Sequence, residues 1–540
     1  MPNLADGIGL LIGVVAVATL ADRLRIAYPI LLVIVGVGVA LIPVHHQVEL
    51  PPELFLLVFL PPLIYDASLE TTTRELRAHL RPILFLAVGL VLATMVAVAV
   101  VMHTLDPALG WPVVFALGAI VSPPDSIAAT QIAGKLGLPR RLVTILGGEG
   151  LMNDATALTA YQLAIAAIGT TLTIVAIVGR FAFAVVVGIG IGLAIGFVAS
   201  RLLRFIETPV IENTLLLTLP FAAYLPADKA GASGVLAVMT AALYFGRFGS
   251  ASLTPAARLQ QREFWGLLVF LLSSLSFLLV GLELRPVLSS LAGRAPWSLA
   301  GKAATVVGVV VVVRLVWIFG AAALSRLRHR LGTERGLLPS WRATTVVSWA
   351  GMRGAVSLAA ALALPKDFPD RNLLVFLTFA VIFATLVGQG LTLPPLIARL
   401  GLIDPGEKEA LDVLRARRRI TASALAHLDT VAEEDRYGEE LVERLQSAYR
   451  QQLERIEHRL EVAEARSEEP GPDVTAAAGN HVAGSGDFAA LEATERSLRS
   501  KVIEVERAEL NELVAKRRVS LRAAEDVRTM LDLDETSLRP

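Results

Sequence analysis

Residues Gly118–Gln162, GAIVSPPDSIAATQIAGKLGLPRRLVTILGGEGLMNDATALTAYQ, decide how this chain must be read. Two apolar segments are joined by a short basic connection carrying Lys135, Arg140 and Arg141. The first segment holds Asp125 directly after Pro123 and Pro124, and the second holds Glu149 and Asp154 on either side of Asn153. Charges at bilayer depth are costly, so they are paired, face a wet cavity or mark an ion pathway.

The rest of the chain supplies the membrane context. Of its 540 residues, 54% are hydrophobic and 18% charged, and the mean hydropathy is +0.62. Aromatic residues make up only 6%, so the apolar excess is Ala, Val, Leu and Ile, the material of lipid-facing helices. A net formal charge of zero argues against nucleic acid as a partner. The absence of cysteine excludes disulfides, thiol catalysis and Cys-ligated metal sites. The first apolar run lacks a basic leader and a cleavage site, and reads as a span rather than a signal peptide.

Apolar runs recur near 4–20, 28–43, 53–68, 82–103, 112–131, 142–167, 173–199, 212–226, 232–246, 264–282, 296–325, 343–364 and 371–399. That predicts an all-α polytopic membrane protein of about 13 spans. Arg and Lys crowd the odd-numbered connections, for example Arg23 and Arg25, Arg201 and Arg204, and Arg326, Arg328 and Arg330. Basic loops stay in the cytoplasm, which puts the N-terminus outside and the C-terminus inside a plasma membrane. From 403 the composition turns to Glu, Arg, Ala and Leu with helical period, predicting a cytoplasmic helical tail over 403–540. A Gly/Ala/Pro linker near 468–488 interrupts it and reads as flexible. The membrane domain is then 1–402.

Within the fifth span, Ser122-Pro123-Pro124-Asp125-Ser126 must break the helix, because two prolines remove two backbone donors. A break at membrane depth survives only where it is buried or lines a cavity. The freed carbonyls, that of Pro124 among them, would then join Asp125 in an oxygen-rich cluster suited to a hard monovalent cation. In the sixth span Glu149 and Asn153 share a helical face, with Asp154 one step round. Asp154 is the expected ion-carrying carboxylate. In the third span, Asp66 follows FLPPLIYD and reads either as intramembrane or as lying at the cytoplasmic edge. Arg353, set between glycines in the twelfth span, needs a carboxylate at that depth, and Glu149 is the natural partner; snorkelling to an interface is the alternative. Gly388-Gln389-Gly390 in the last span reads as packing rather than as a ligand.

The pieces FLPPLIYDASL (59–69), SPPDSIAA (122–129), GGEGLMNDATAL (147–158), GMRGAVSLAAALALP (351–365) and GQGLTLPPLIARLGL (388–402) come in one order. Together they resemble the monovalent cation/proton antiporters, in the sodium/proton exchanger branch with bacterial NhaP-type members. The tail segment 506–534 is similar to tails of bacterial members. The resemblance implies inverted repeats, broken crossing helices at spans five and twelve, a homodimer, and an elevator-like swing of a core domain. It implies that Asp154 carries the cation and the proton, that Asn153 braces the crossing, that Asp125 joins the ion cluster, that Glu149 pairs with Arg353, and that Asp66 stands for an acidic residue near the ion. Two positions depart from the pattern: Pro124 replaces a threonine and Gly150 a serine, each removing a hydroxyl. Na+ is the expected cation, with K+ or Li+ open, and the Asn-Asp pair resembles the electroneutral exchangers.

No His lies in the middle of a span, and neither HExxH nor a GxxxxGK[ST] phosphate loop occurs. No cofactor, resident metal or ATP-driven engine is expected. A nucleophile in GxSxG context is also lacking, which argues against an enzyme. A tail-gated cation channel is the alternative from another class, and nothing resembles the symmetric filter it would need.

Overall fold

In the computed structural model of the protein, the described residues are 4–24, 26–42, 52–70, 76–77, 79–168, 173–249, 252–289, 291, 295–330, 340–402, 407–433, 437–468, 489–516 and 518–538. Among them every regular element is helical. In chain order these are α1 (Leu4–Arg23), α2 (Tyr28–Ala40), α3 (Pro52–Glu70), α4 (Leu80–Leu105), α5 (Trp111–Val121), α6 (Ser126–Lys135) and α7 (Arg140–Ala166). There follow α8 (Ile174–Leu202), α9 (Pro209–Lys229), α10 (Gly234–Phe248), α11 (Pro255–Leu282), α12 (Leu284–Ser289) and α13 (Pro296–Arg330). The last are α14 (Trp341–Trp349), α15 (Ala355–Leu362), α16 (Arg371–Leu400), α17 (Glu407–Glu433), α18 (Glu439–Glu468), α19 (Ala489–Ala515) and α20 (Leu521–Ser537). The linker expected at 468–488 lies, beyond its first residue, outside the described residues.

Seven helical stretches are long and apolar enough to cross a bilayer, and the shorter apolar helices Tyr28–Ala40, Leu56–Leu69 and Gly234–Phe248 accompany them. The protein is an all-α polytopic membrane protein. Their burial sorts them by role. In the stretch Trp111–Gly134, 72% of the apolar window is buried, and in α16 67%, whereas in Val175–Phe205 the share is 22%. The first two form the middle of the membrane unit, and the third keeps most of its Val, Ile and Phe side chains outward.

Local sequence explains the element ends. Pro29, Pro112 and Pro209 sit in the first turns of α2, α5 and α9, where no backbone donor is needed. Thr173, Ser233 and Ser340 cap α8, α10 and α14 by accepting from Ala176 N, Leu236 N and Ala343 N. On α8, Gly188, Gly192 and Gly196 form a small-residue stripe against α10; a Cβ at Gly192 would meet Ala237 O at 2.3 Å. Such stripes let membrane helices approach backbone to backbone. One π-helical turn occurs in α4 (Phe85–Leu90) and another in α16 (Ala384–Gln389).

The chain divides into two compact units. One comprises Met1–Leu253 and Glu263–Ile403, the other Thr254–Arg262 and Asp404–Pro540. In the second, α17 packs against α18, α19 and α20. Its apolar faces form two clusters, one around Ala416, Leu510 and Val527 and one around Leu428, Leu445 and Leu498. The first turns of α11 belong to this unit, which the sequence pattern does not suggest. Arg258 grips Asp532 through Nε at 2.8 Å and Nη2 at 2.7 Å, and Arg262 reaches Thr529 Oγ1 at 3.2 Å.

Candidate functional site

The fifth span breaks where its prolines demand. α5 ends at Val121 and α6 starts at Ser126, with Pro123 and Pro124 between them. A second break separates α14 from α15 over Ala350–Gly354. The two breaks touch: Asp125 N donates to Met352 O at 2.6 Å. α7 packs across this crossing, against α5, α6 and α14, and α3 packs against both α7 and α15.

A helix interrupted inside a membrane strands carbonyls at one end and amides at the other. Charged side chains settle both sets. Asp125 Oδ1 accepts from Ile127 N at 2.8 Å and Ala128 N at 3.3 Å, capping α6. Its Oδ2 lies against Gly354, the residue before α15, where a Cβ would come within 1.6 Å. Glycine at 354 therefore makes room for the carboxylate. At the carbonyl ends, Arg353 donates from Nε to Val121 O at 3.1 Å, from Nη2 to Ser122 O at 3.4 Å, and from Nη1 to Gly351 O. A guanidinium suits the negative end of a helix dipole. The backbone N of Arg353 donates to Thr385 Oγ1 at 3.1 Å, which places that residue at the π-helical turn of α16.

This arrangement corrects the expected pairing of Glu149 with Arg353. Glu149 pairs instead with Arg314 on α13, whose Nη1 and Nη2 reach its two carboxylate oxygens at 2.6 and 3.0 Å. Nη2 also donates to Val347 O at 3.1 Å, in the last turn of α14. The two-toothed fit is the strong geometry for a guanidinium and a carboxylate, and all members are buried. Arg314 reaches Glu149 past Gly351, where a Cβ would lie 2.3 Å from its Cδ. The signal for Arg314 was available: it is the one charged residue between Lys302 and Arg326 in an apolar run.

Asn153 is fully buried, and its Nδ2 donates to Pro124 O at 2.7 Å, tying α7 to the break. The Pro124 carbonyl keeps a second lone pair. The Asn153 Oδ1 has no hydrogen-bond partner among the described residues. The Asp154 side chain lies beside it, half-buried, close enough to Asp125 for the two charges to interact. Neither a hydrogen bond nor a counter-charge engages Asp154 among the described residues. It lines a narrow cavity with Ile120, Pro123, Tyr161 and Ser357. Asp125, Pro124, Asn153 and Asp154 thus gather at one point. Asp66 is half-buried near the end of α3, on the helix that packs against α7 and α15.

The missing hydroxyl at Gly150 has a steric cause. A Cβ there would lie 2.0 Å from both Cβ and Oγ of Ser126. Ser126 fills the space a side chain at 150 would take, one helical turn before Asp154. Sequence reading counted the lost oxygen and missed the hydroxyl that stands in its place.

Comparison with known proteins bears on the family and the fold. Residues 10–399 match the family model described as sodium/hydrogen exchanger, transmembrane. The Na+/H+ antiporter ApNhaP of Aphanothece halophytica is 32% identical over 425 residues, 78% of this chain and 79% of that one. A sodium, potassium, lithium and rubidium/H+ antiporter of Bacillus pumilus is 30% identical over 479 residues, 83% of this chain and 69% of the relative. Among solved structures, the sodium proton antiporter MjNhaP1 of Methanocaldococcus jannaschii superposes with a TM-score of 0.57. It covers 75% of this chain and all of its own, at 16% identity, a likeness of fold.

Proposed function

Because the chain belongs to the sodium/hydrogen exchanger family and is a multi-pass membrane cation/proton antiporter, we propose that Na+ and H+ compete for one carboxylate, that of Asp154. The observation that carries this reading is the difference in commitment among the buried carboxylates. Glu149 is held by Arg314, and Asp125 by the amides of α6, whereas Asp154 faces the cavity without a partner. The Asn153 Oδ1, the spare lone pair of Pro124 O and the free edge of Asp125 supply the further oxygens a dehydrated monovalent cation needs. Asp66 would join from α3.

Charge counting supports one cation per proton. At the crossing itself, Glu149, Asp125 and Asp154 face Arg314 and Arg353, which leaves one net negative charge, with Asp66 on α3 not counted because it has a partner of its own. One proton or one monovalent cation on Asp154 brings the cluster to neutrality. A loaded core then crosses the bilayer and an empty one is held back, since moving bare charge through a low-dielectric layer is costly. That is alternating access around a midplane site built from broken helices. The working form would be a homodimer in the plasma membrane, its lipid-facing α8 outward, the N-terminus outside and the helical tail in the cytoplasm. Counting each broken pair as one span, and α12 together with α11, gives 13 spans.

K+ or Li+ is the alternative cargo. The lost hydroxyl at Pro124 favours it, as does the range of ions in the name of the Bacillus pumilus relative. Everted vesicles carrying a pH-sensitive dye test the mechanism. Asp154→Asn, which keeps shape but not charge, is expected to abolish proton movement driven by Na+, K+ or Li+. Undiminished exchange in that variant would remove Asp154 from the mechanism. Running the three cations separately on the parent protein ranks them as substrates.

A further inference from the structure

On α7, Asp154, Ala157, Leu158 and Tyr161 form a single stripe, since seven residues make almost two turns. All four line the same narrow cavity, walled by Ala119, Ile120 and Pro123 of the broken fifth span and by Val356, Ser357 and Ala360 of α15. Asp154 lines it on α7, and Tyr161 stands about 10 Å further along the helix axis. Most of the lining is small or aliphatic, with space for about one water-sized sphere.

The Tyr161 hydroxyl is out of place in such a lining. The residue is 7% exposed, and its oxygen has no hydrogen-bond partner among the described residues. A buried hydroxyl without a partner is less stable than a phenyl ring in the same place, so a purely structural ring would be better as Phe. Unlike the equally unpartnered hydroxyl of Tyr65, that of Tyr161 belongs to a residue lining a cavity, where a partner that comes and goes would satisfy it. Ser357 offers a second hydroxyl on the facing wall, from the first turn of the other broken helix.

We propose that this cavity is a second, transient station for the monovalent cation, in which the hydroxyls of Tyr161 and Ser357 replace water between Asp154 and the C-terminal end of α7. The inference rests on the reading of Asp154 as the ion-carrying carboxylate. The chemistry is that of a hard cation shedding its hydration shell: two neutral oxygens hold it weakly enough to release it, while the carboxylate competes for it. Pro123, at the break, lies on the same wall.

Because the parent chain contains no cysteine, single cysteines report on this path without background. Tyr161→Cys and Ser357→Cys, in full-length protein reconstituted in liposomes, are expected to react with a small cationic methanethiosulfonate, and at least threefold more slowly in saturating Na+ than in choline. Thr159→Cys is the control, buried on a different face of α7 and bonded to Ala155 O; it is expected to stay unreactive in both media. Tyr161→Phe, which keeps the ring, is expected to raise the KM for the cation about tenfold with kcat nearly unchanged. Cysteines at 161 and 357 as inert as that at 159, or an unchanged KM in Tyr161→Phe, would overturn the station while leaving Asp154 in place. Retained exchange in Asp154→Asn would instead remove the carboxylate reading itself, so the two failures are distinguishable.

Discussion

Arg314 and Arg353 are equally buried, each 1% exposed, and they solve the problem of a buried cation in different ways. Arg314 closes on the carboxylate of Glu149 with both arms and is neutralised. Arg353 bonds to no carboxylate oxygen among the described residues; it is solvated by the carbonyls of Val121, Ser122 and Gly351 at the frayed ends of two half-helices. The first is a clamp joining α13 to α7. The second is a plug in the broken backbone, and its positive charge stays at the crossing of the two breaks. A charged residue at membrane depth therefore does not by itself announce its partner. What decides is whether the nearest unsatisfied group is a carboxylate or a helix end.

The largest expected effect falls on the clamp. Arg314→Met strands a buried Glu149 without its counter-charge and is expected to cost about 3–5 kcal/mol, seen as a steep fall in the melting midpoint of the purified full-length protein. Adding Glu149→Gln should return more than half of the loss, because the unpaired charge causes most of it. Failure of the second change to restore anything would mean the pair is not the unit it looks like.

The plug should behave otherwise. Arg353→Lys keeps the charge and loses the planar fork, so two of the three carbonyls lose their donor. A cost of about 1–3 kcal/mol is expected, with a fall in exchange rate as the crossing loosens. Here Glu149→Gln should give no recovery. Rescue at 353 equal to that at 314 would erase the distinction between clamp and plug, and would return Glu149 to Arg353.

A smaller effect tests how closely α7 sits on the plugged break. Gly150→Ser forces a side chain into the space of Ser126 and is expected to destabilise by about 1–3 kcal/mol through overpacking. Ser126→Gly in the same chain should relieve it and return the hydroxyl to α7. Melting midpoints of the two variants, read beside their exchange rates, check both halves of that statement.

The sequence carried the breaks and the cluster, and it did so for local reasons. Adjacent prolines at 123 and 124 end a helix here, whereas the pairs at 61–62 and 394–395 stay inside helices; the shared face of Glu149 and Asn153, with Asp154 one step round, follows from the helical period alone. Partner choice was not local. Glu149 and Arg314 stand 165 positions apart, and which of two arginines reaches the carboxylate depends on how α13 and α14 cross α7. Gly351 had to be read as clearance for Arg314, not as a flank of Arg353. The same holds for Gly150, which looks like a missing ligand in one dimension and like a seat for Ser126 in three. The grouping of Thr254–Arg262 with the C-terminal helices was hidden for the same reason, since Arg258 and Asp532 lie 274 residues apart.

A third buried charge, outside the membrane, extends the comparison between pairing and solvation to neutralisation. Glu506 on α19 has neither a clamp nor a helix end. Burial pushes its carboxyl up to about 8, with the Asp534 charge adding to the rise, while a hydrogen bond from Tyr449 and the nearby Arg417 oppose it. Because the folded value exceeds the ordinary 4.5, the stabilisation is complete below about pH 4.5 and is lost as pH rises through 8. Between pH 7 and 8.5 the helical unit around α19 is expected to lose about 1 kcal/mol. Amide hydrogen exchange over 498–513 in the full-length protein should quicken accordingly, and Glu506→Gln should flatten that dependence, the two proteins converging only as pH falls towards 4.5. Equal pH dependence in the two proteins would show that Glu506 is paired after all, like Glu149, and that neutralisation is not a third way of burying charge in this chain.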